Sequence, residues 1–158
     1  MTYKLFVFGK LKETYLQEAV KDYLTRLNHY RTVEIIELPD QKEPKNASPK
    51  DIETIKEKEA EVFLKHYKSG PIFLFDETGK KMSSIDFSKW LNQMETAHQN
   101  DFNFVIGGSN GHAKSLKQKA TVMLSVSNMT FPHGLFRVIA LEQLYRAMKI
   151  QSNETYHK

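Results

Sequence analysis

The chain contains no cysteine. That excludes disulfides, thiolate metal sites and a cysteine nucleophile. No apolar run approaches the length that spans a bilayer, and Lys4 interrupts the one early hydrophobic stretch. Neither a spanning helix nor a secretory signal is expected, so the protein reads as cytoplasmic, without a membrane partner. Its six histidines (His29, His66, His98, His112, His133 and His157) are scattered, with no His-x-x-x-His or Glu-flanked pair. No metal site is expected from them. Two nucleotide-binding signatures are also missing. The glycines of Gly107-Gly108-Ser109-Asn110-Gly111 lack the G-x-G-x-x-G spacing, and no Gly-Lys-Ser/Thr follows them. There is no internal repeat and no low-complexity segment.

What is present reads as a single soluble domain. At 158 residues, with 40% hydrophobic and 27% charged residues, the chain is long enough for one real core. A net charge of +4 modestly favours a polyanionic partner. Strands and helices alternate. Tyr3–Phe8 reads as a strand ended by Gly9. Thr14 caps a helix with the stripe Leu16, Val20, Tyr23, Leu24 and Leu27. Val33–Leu38 is a second, β-branched strand, followed by a polar loop from Pro39 to Ala47. Ser48, Pro49 and Asp51 open a helix that runs to about Tyr67. Ile72–Phe75 is an apolar, central strand, and Asp76–Lys80 reads as a loop. Ser84 caps a third helix packed through Phe87, Trp90, Leu91 and Met94. Phe102–Ile106 and Thr121–Val126 are the last two strands. Such alternation predicts a layered α/β domain with a largely parallel sheet.

The final helix, Leu135 to Ile150, is apolar on far more than one stripe. A helix of that kind needs burial on most sides. In so small a domain the second face is expected to meet another chain, which predicts a homodimer using positions such as Phe136 and Ile139.

Two loops stand out as ligand-type. One is Gly107–Gly111 after the fourth strand. The other is Ser127-Asn128-Met129-Thr130-Phe131-Pro132-His133 after the fifth. Ligands of open α/β sheets bind beyond the carboxyl ends of strands, so the two loops predict one composite pocket. Glycines there permit close backbone approach. A loop holding both Met129 and Phe131 is expected to bury them, with a bound cofactor meeting its backbone groups. The plain alternatives are a tight turn for the first loop and an ordered connection for the second. The tail from Gln151 to Lys158 ends in Tyr156, His157 and Lys158. Chain ends are normally frayed, yet these side chains suit stacking on bases and contact with phosphate.

GGSNG, SNMTFPH, RVIALEQLYRAMKI and the terminal YHK together resemble the RlmH family. Its members are SPOUT-class methyltransferases acting on pseudouridine of large-subunit ribosomal RNA. The likeness extends from the opening strand with Gly9-Lys10-Leu11-Lys12 to Lys158. Where many family tails carry proline before the tyrosine, this one carries Thr155, which leaves the tail less pre-set. The resemblance implies a single domain over residues 1–158 with a trefoil knot over about 102–150. It implies a homodimer, S-adenosylmethionine as methyl donor, and 23S ribosomal RNA, free or in the assembled ribosome, as partner. Matching positions assign the cofactor pocket to Phe75, Gly107, Val126, Ser127, Asn128, Met129, Thr130 and Phe131. Substrate engagement falls to Tyr156 and His157, with Arg146, Glu142 and His133 as further catalytic candidates. Methylating a pyrimidine at C5 commonly needs a cysteine, and this chain has none. Methylating N3 needs only alignment and removal of a proton. His157 is the first candidate base by residue type, and Glu142 is the reserve. A non-catalytic RNA-binding or ribosome-associated module is the rival reading. A nucleotide-binding oxidoreductase is disfavoured by the missing fingerprint.

Overall fold

The structure is a computed structural model that describes residues 1–158. Five strands and five helices alternate: β1 (Thr2–Phe8), α1 (Thr14–Leu27), β2 (Thr32–Leu38), α2 (Pro49–His66), β3 (Ile72–Lys81), α3 (Ser84–Ala97), β4 (Phe102–Ile106), α4 (Lys114–Lys119), β5 (Val122–Ser125) and α5 (His133–Gln151). The strands form one all-parallel sheet in the order β2-β1-β4-β3-β5. Parallel strands must be joined by crossovers, which places helices on both faces.

Each face has its own core. On one face α1, α3 and α5 cover Leu5, Phe73, Phe102 and Phe104. On the other, α2 and α4 cover Phe6, Leu74 and Val105. Every residue of β4 is buried, as expected for a central strand, and its one polar residue, Asn103, donates to Ser69 O at 2.9 Å. The α2 start matches its sequence pattern: Asp51 N donates to Ser48 Oγ at 3.1 Å, and Ser48 N donates to Asp51 Oδ2 at 2.9 Å. Two donors that the helix leaves unpaired are thus satisfied reciprocally.

Several boundaries depart from the sequence expectations. Helix α1 is preceded by Glu13, with Thr14 already its first residue. The cap of α3 is Ser83, whose Oγ accepts from Asp86 N at 3.1 Å, leaving Ser84 inside the helix. Helix α5 starts at His133, two residues before the expected Leu135. The stretch Asp76–Lys80 is more than a loop, because β3 resumes beyond it. Phe75 and Lys80 both lie opposite Leu124, so the four residues between them bulge out of the ladder. Gly79 closes this bulge: a Cβ there would sit 2.7 Å from Leu124 N, so no larger residue lets β3 and β5 approach so closely.

One buried cation fixes α5 against the sheet. Arg137, 3% exposed, donates to the carbonyl oxygens of Phe8 at 3.0 Å and Gly9 at 2.9 Å, and to Glu37 at 3.2 Å. These are the carboxyl ends of β1 and β2. The first turns of α5 are thereby held at the sheet edge where the ligand-type loops emerge.

Candidate active site

A cavity of about 530 Å³ opens beyond Phe75, Ile106 and Ser125, where β3 bulges and where β4 and β5 end. Its wall is built from three excursions and one helix end. Asp76, Glu77 and Thr78 come from the bulge of β3. Residues Gly107 to His112 come from the loop after β4. The loop after β5 supplies Val126, Ser127, Met129, Thr130, Phe131 and Pro132, and His133 and Phe136 come from α5. Phe75, Phe136 and Phe131 form an aromatic side, with ring centroids 5.3 Å apart for the first pair and 6.2 Å for the second. The two ligand-type loops therefore meet in one pocket. Among the sequence candidates for this pocket, only Asn128 lies outside the wall; it is exposed.

Two expectations need correction here. Met129 is 75% exposed instead of buried. The loop is pinned by its backbone, with Met129 N donating to Ser127 Oγ at 3.0 Å and Ser125 Oγ donating to Ser127 O at 3.0 Å. Phe136 faces the cavity, not an outer face of α5. Gly107 lines the cavity, but a Cβ on it would point into the protein, 3.1 Å from the Gly111 carbonyl carbon and 3.2 Å from His112 Cε1. A Cβ on Gly108 would meet the Glu59 carboxylate at 2.7 Å. A side chain at Gly107 would have to push back Gly111 and His112, and one at Gly108 would have to displace the Glu59 carboxylate. The turn closes with Gly111 at φ 81° and its N–H donating to Gly108 O at 3.0 Å.

The polar side of the cavity is asymmetric. Burial alone would raise the Asp76 carboxyl, but it is held below its usual value. Thr78 donates to it through Oγ1 at 2.5 Å and N at 2.9 Å, and the Lys117 ammonium lies 3.3 Å away. His112 is 4% exposed, and its Nε2 lies 2.9 Å from the Phe75 carbonyl oxygen. Burial is the main cause that lowers its pKa.

Glu142, Arg146, Tyr156 and His157 form a separate cluster that does not line the cavity. Arg146 lies thirteen positions after His133 on α5, about 20 Å of helix. Arg146 grips Glu142 Oε1 through Nε at 2.9 Å and Nη2 at 2.5 Å. Its guanidinium lies 4.8 Å from the Tyr156 ring centroid, and Tyr156 OH donates to Glu142 at 3.2 Å. Burial first, then Tyr23 and the Glu142 charge, push the Tyr156 phenol up to about 12. Arg146 Nη1 lies 3.1 Å from His157 Nδ1. A guanidinium only donates, so Nδ1 accepts and the ring proton of neutral His157 sits on Nε2. The tail is packed down, not frayed: Glu154 accepts from Lys149 at 2.6 Å and from Tyr30 OH at 2.9 Å, and Tyr156 stacks edge-on against Tyr145 at 4.9 Å.

A family model described as "predicted SPOUT methyltransferase" matches residues 1–157. The chain belongs to the SPOUT methyltransferase family. Two solved structures show the same fold at low identity. A candidate RNA methyltransferase from Bacillus anthracis aligns with a TM-score of 0.50 and 14% identity, over 92% of this chain and 94% of its own. A probable methylase family protein from Haemophilus influenzae Rd KW20 aligns with a TM-score of 0.53 and 9% identity, over 96% of this chain and 66% of its own.

In this SPOUT chain the residues that sequence reasoning missed are the polar ones: Asp76, Thr78, Lys117, Lys56 and His112. Asp76 and Thr78 read as ordinary loop residues, because nothing local reveals that β3 resumes at Lys80. His112 carries a signal, a titratable side chain directly after GGSNG, which the scatter of the six histidines hides. No helix is long and apolar enough to cross a membrane, and no group of three or more His, Asp or Glu side chains is placed to hold a metal ion.

Proposed function

We propose that this SPOUT chain is an S-adenosylmethionine-dependent RNA methyltransferase that acts, as a homodimer, on N3 of a pseudouridine in large-subunit ribosomal RNA. The observation that carries the reading is the single cavity made by GGSNG and SNMTFPH, the segments on which the RlmH resemblance rests. The residues present suit the cofactor. The volume lies within the range typical of small-molecule sites. The phenylalanine side suits a purine, and the loop backbones and His112 offer polar partners. The resemblance also implies the trefoil knot over about 102–150, which would cross at these same loops.

When bound, S-adenosylmethionine supplies an electrophilic sulfonium methyl group, which N3 takes up as the carbon–sulfur bond breaks. The chain's own task is to align the base and accept the N3 proton. His157 can accept it only through Nδ1, the atom that Arg146 now engages. An incoming phosphate that draws Arg146 away would free this nitrogen, leaving Glu142 as the alternative acceptor. The cluster stands far from its own cavity along α5, so the reading assigns each tail to the partner's pocket. Exposed Val126, Met129 and Leu135 supply apolar surface for such a dimer. Cytoplasmic location follows from a ribosomal substrate.

Incubating the protein with methyl-labelled S-adenosylmethionine and, in parallel, protein-free ribosomal RNA, isolated large subunits and whole ribosomes tests the reading. Label recovered on N3 of one pseudouridine is the expected result. Tight association with ribosomal particles but no methyl transfer would instead support the binding-module reading.

A further inference from the structure

We infer that His112 is a cofactor-binding residue whose bare Nδ1 accepts a hydrogen bond from an N–H or O–H group of the ligand in the cavity; this rests on the S-adenosylmethionine reading above. Three observations carry it. His112 lies in the cavity wall at the end of the glycine loop. Its Nε2 lies 2.9 Å from the Phe75 carbonyl oxygen, which can only accept, so Nε2 carries the proton and Nδ1 the lone pair. Nδ1 has no partner within the protein, and no fully buried side-chain polar atom is left unpaired, so Nδ1 keeps accessible surface on a residue that lines the cavity.

The surroundings keep the ring neutral and in this tautomer. Burial disfavours the imidazolium most; the Phe75 carbonyl and the Asp76 carboxylate favour it, and the Lys117 and Lys56 ammonium groups disfavour it, with a net lowering. The ring is also held in place by its contact with the Phe75 carbonyl oxygen and by burial, at 4% exposed. A fixed, neutral acceptor beside glycines that admit close approach is suited to orient a ligand, and a ligand donor lost at such a site leaves the acceptor unpaired. Neither the glycine spacing nor the RlmH-like segments assign this role to His112.

The test is nitrogen-detected NMR of the histidine-labelled protein, titrated with S-adenosylmethionine and separately with methylthioadenosine. The expected result is a protonated Nε2 and a bare Nδ1 in the free protein, with the Nδ1 resonance moving upfield on binding. A shift with both ligands places the donor on the nucleoside; a shift with S-adenosylmethionine alone places it on the amino-acid part. Binding by calorimetry with an unmoved Nδ1 overturns the inference while leaving the cofactor reading intact. Absence of binding overturns both.

Two variants give an independent readout. His112→Asn keeps an acceptor near the Nδ1 position, and His112→Gln keeps only the link to Phe75. An affinity loss of about tenfold in His112→Gln, with His112→Asn within about threefold of wild type, is expected for one neutral hydrogen bond. Equal affinity in both, at matched melting temperatures, would refute the role.

Discussion

Glu59 offers the sharpest quantitative test of the packing beneath the cavity. Its carboxylate is 5% exposed and lies directly behind Gly108. Burial pushes its pKa from 4.5 up to about 7; a hydrogen bond from the Gln41 backbone opposes this, and the Asp40 charge adds to it. The sign follows from proton binding. Between about pH 4.5 and pH 7 the folded state holds this proton and the unfolded chain does not, so stability falls as pH rises through that window and the full penalty persists above it. A shift of this size amounts to about 3 kcal/mol as a ceiling. Glu59→Gln removes the charge and keeps the shape. Thermal unfolding of both proteins should show nearly equal melting temperatures near pH 4.5. Near pH 8 the variant should melt higher by about 6–12 °C at that ceiling. The other titrating groups are common to both proteins and cancel in the difference. A melting-temperature difference that is the same at both pH values, or a wild type that is the more stable at pH 8, would refute the argument.

Gly107→Val should abolish cofactor binding and also lower the melting temperature, since the side chain strikes Gly111 and His112; lost affinity at an unchanged melting temperature would mean that it points into ligand space instead. Arg137→Met should cost about 2–4 kcal/mol in urea unfolding, because the Phe8 and Gly9 carbonyl groups lose their buried donor; an unchanged midpoint would show that water takes over both. Removing residues 156–158 should leave S-adenosylmethionine affinity and fold intact but eliminate methyl transfer to ribosomes. Normal turnover by the truncated protein would reduce the tail cluster to surface packing.

The alternation of strands and helices was legible because each element carries its own signal. Ile72–Phe75 is apolar on both faces and Phe102–Ile106 is so but for Asn103, the mark of strands covered on both sides. Ser48 and Asp51 announce a helix before its first apolar residue. The order β2-β1-β4-β3-β5 was not legible, since pairing between β3 and β5 spans about fifty residues and leaves no local trace. The return of β3 after its bulge was hidden because Lys80 and Lys81 are polar, and α4 was hidden because six lysine-rich residues show no usable period. Apolar excess on α5 predicts a core face and a second face for another chain. The structure divides it: Phe136 turns to the cavity, Leu141 and Leu144 are buried in the core, and Leu135 is exposed. The packing of the tail was also hidden, since Tyr30 meets Glu154 across 124 positions of sequence.

Helix α5 carries cavity wall at one end and the arginine cluster at the other, with no break between His133 and Gln151. Each residue of an α-helix advances the chain by about 100° of rotation. Inserting or deleting one residue between Phe136 and Glu142 would therefore leave both ends chemically whole but swing one a quarter-turn or more relative to the other. Surface loops outside the cavity wall can absorb a change of length, whereas this segment is locked in angular phase. Relatives that share both ends should conserve the number of residues between them, even at positions where the residues themselves differ.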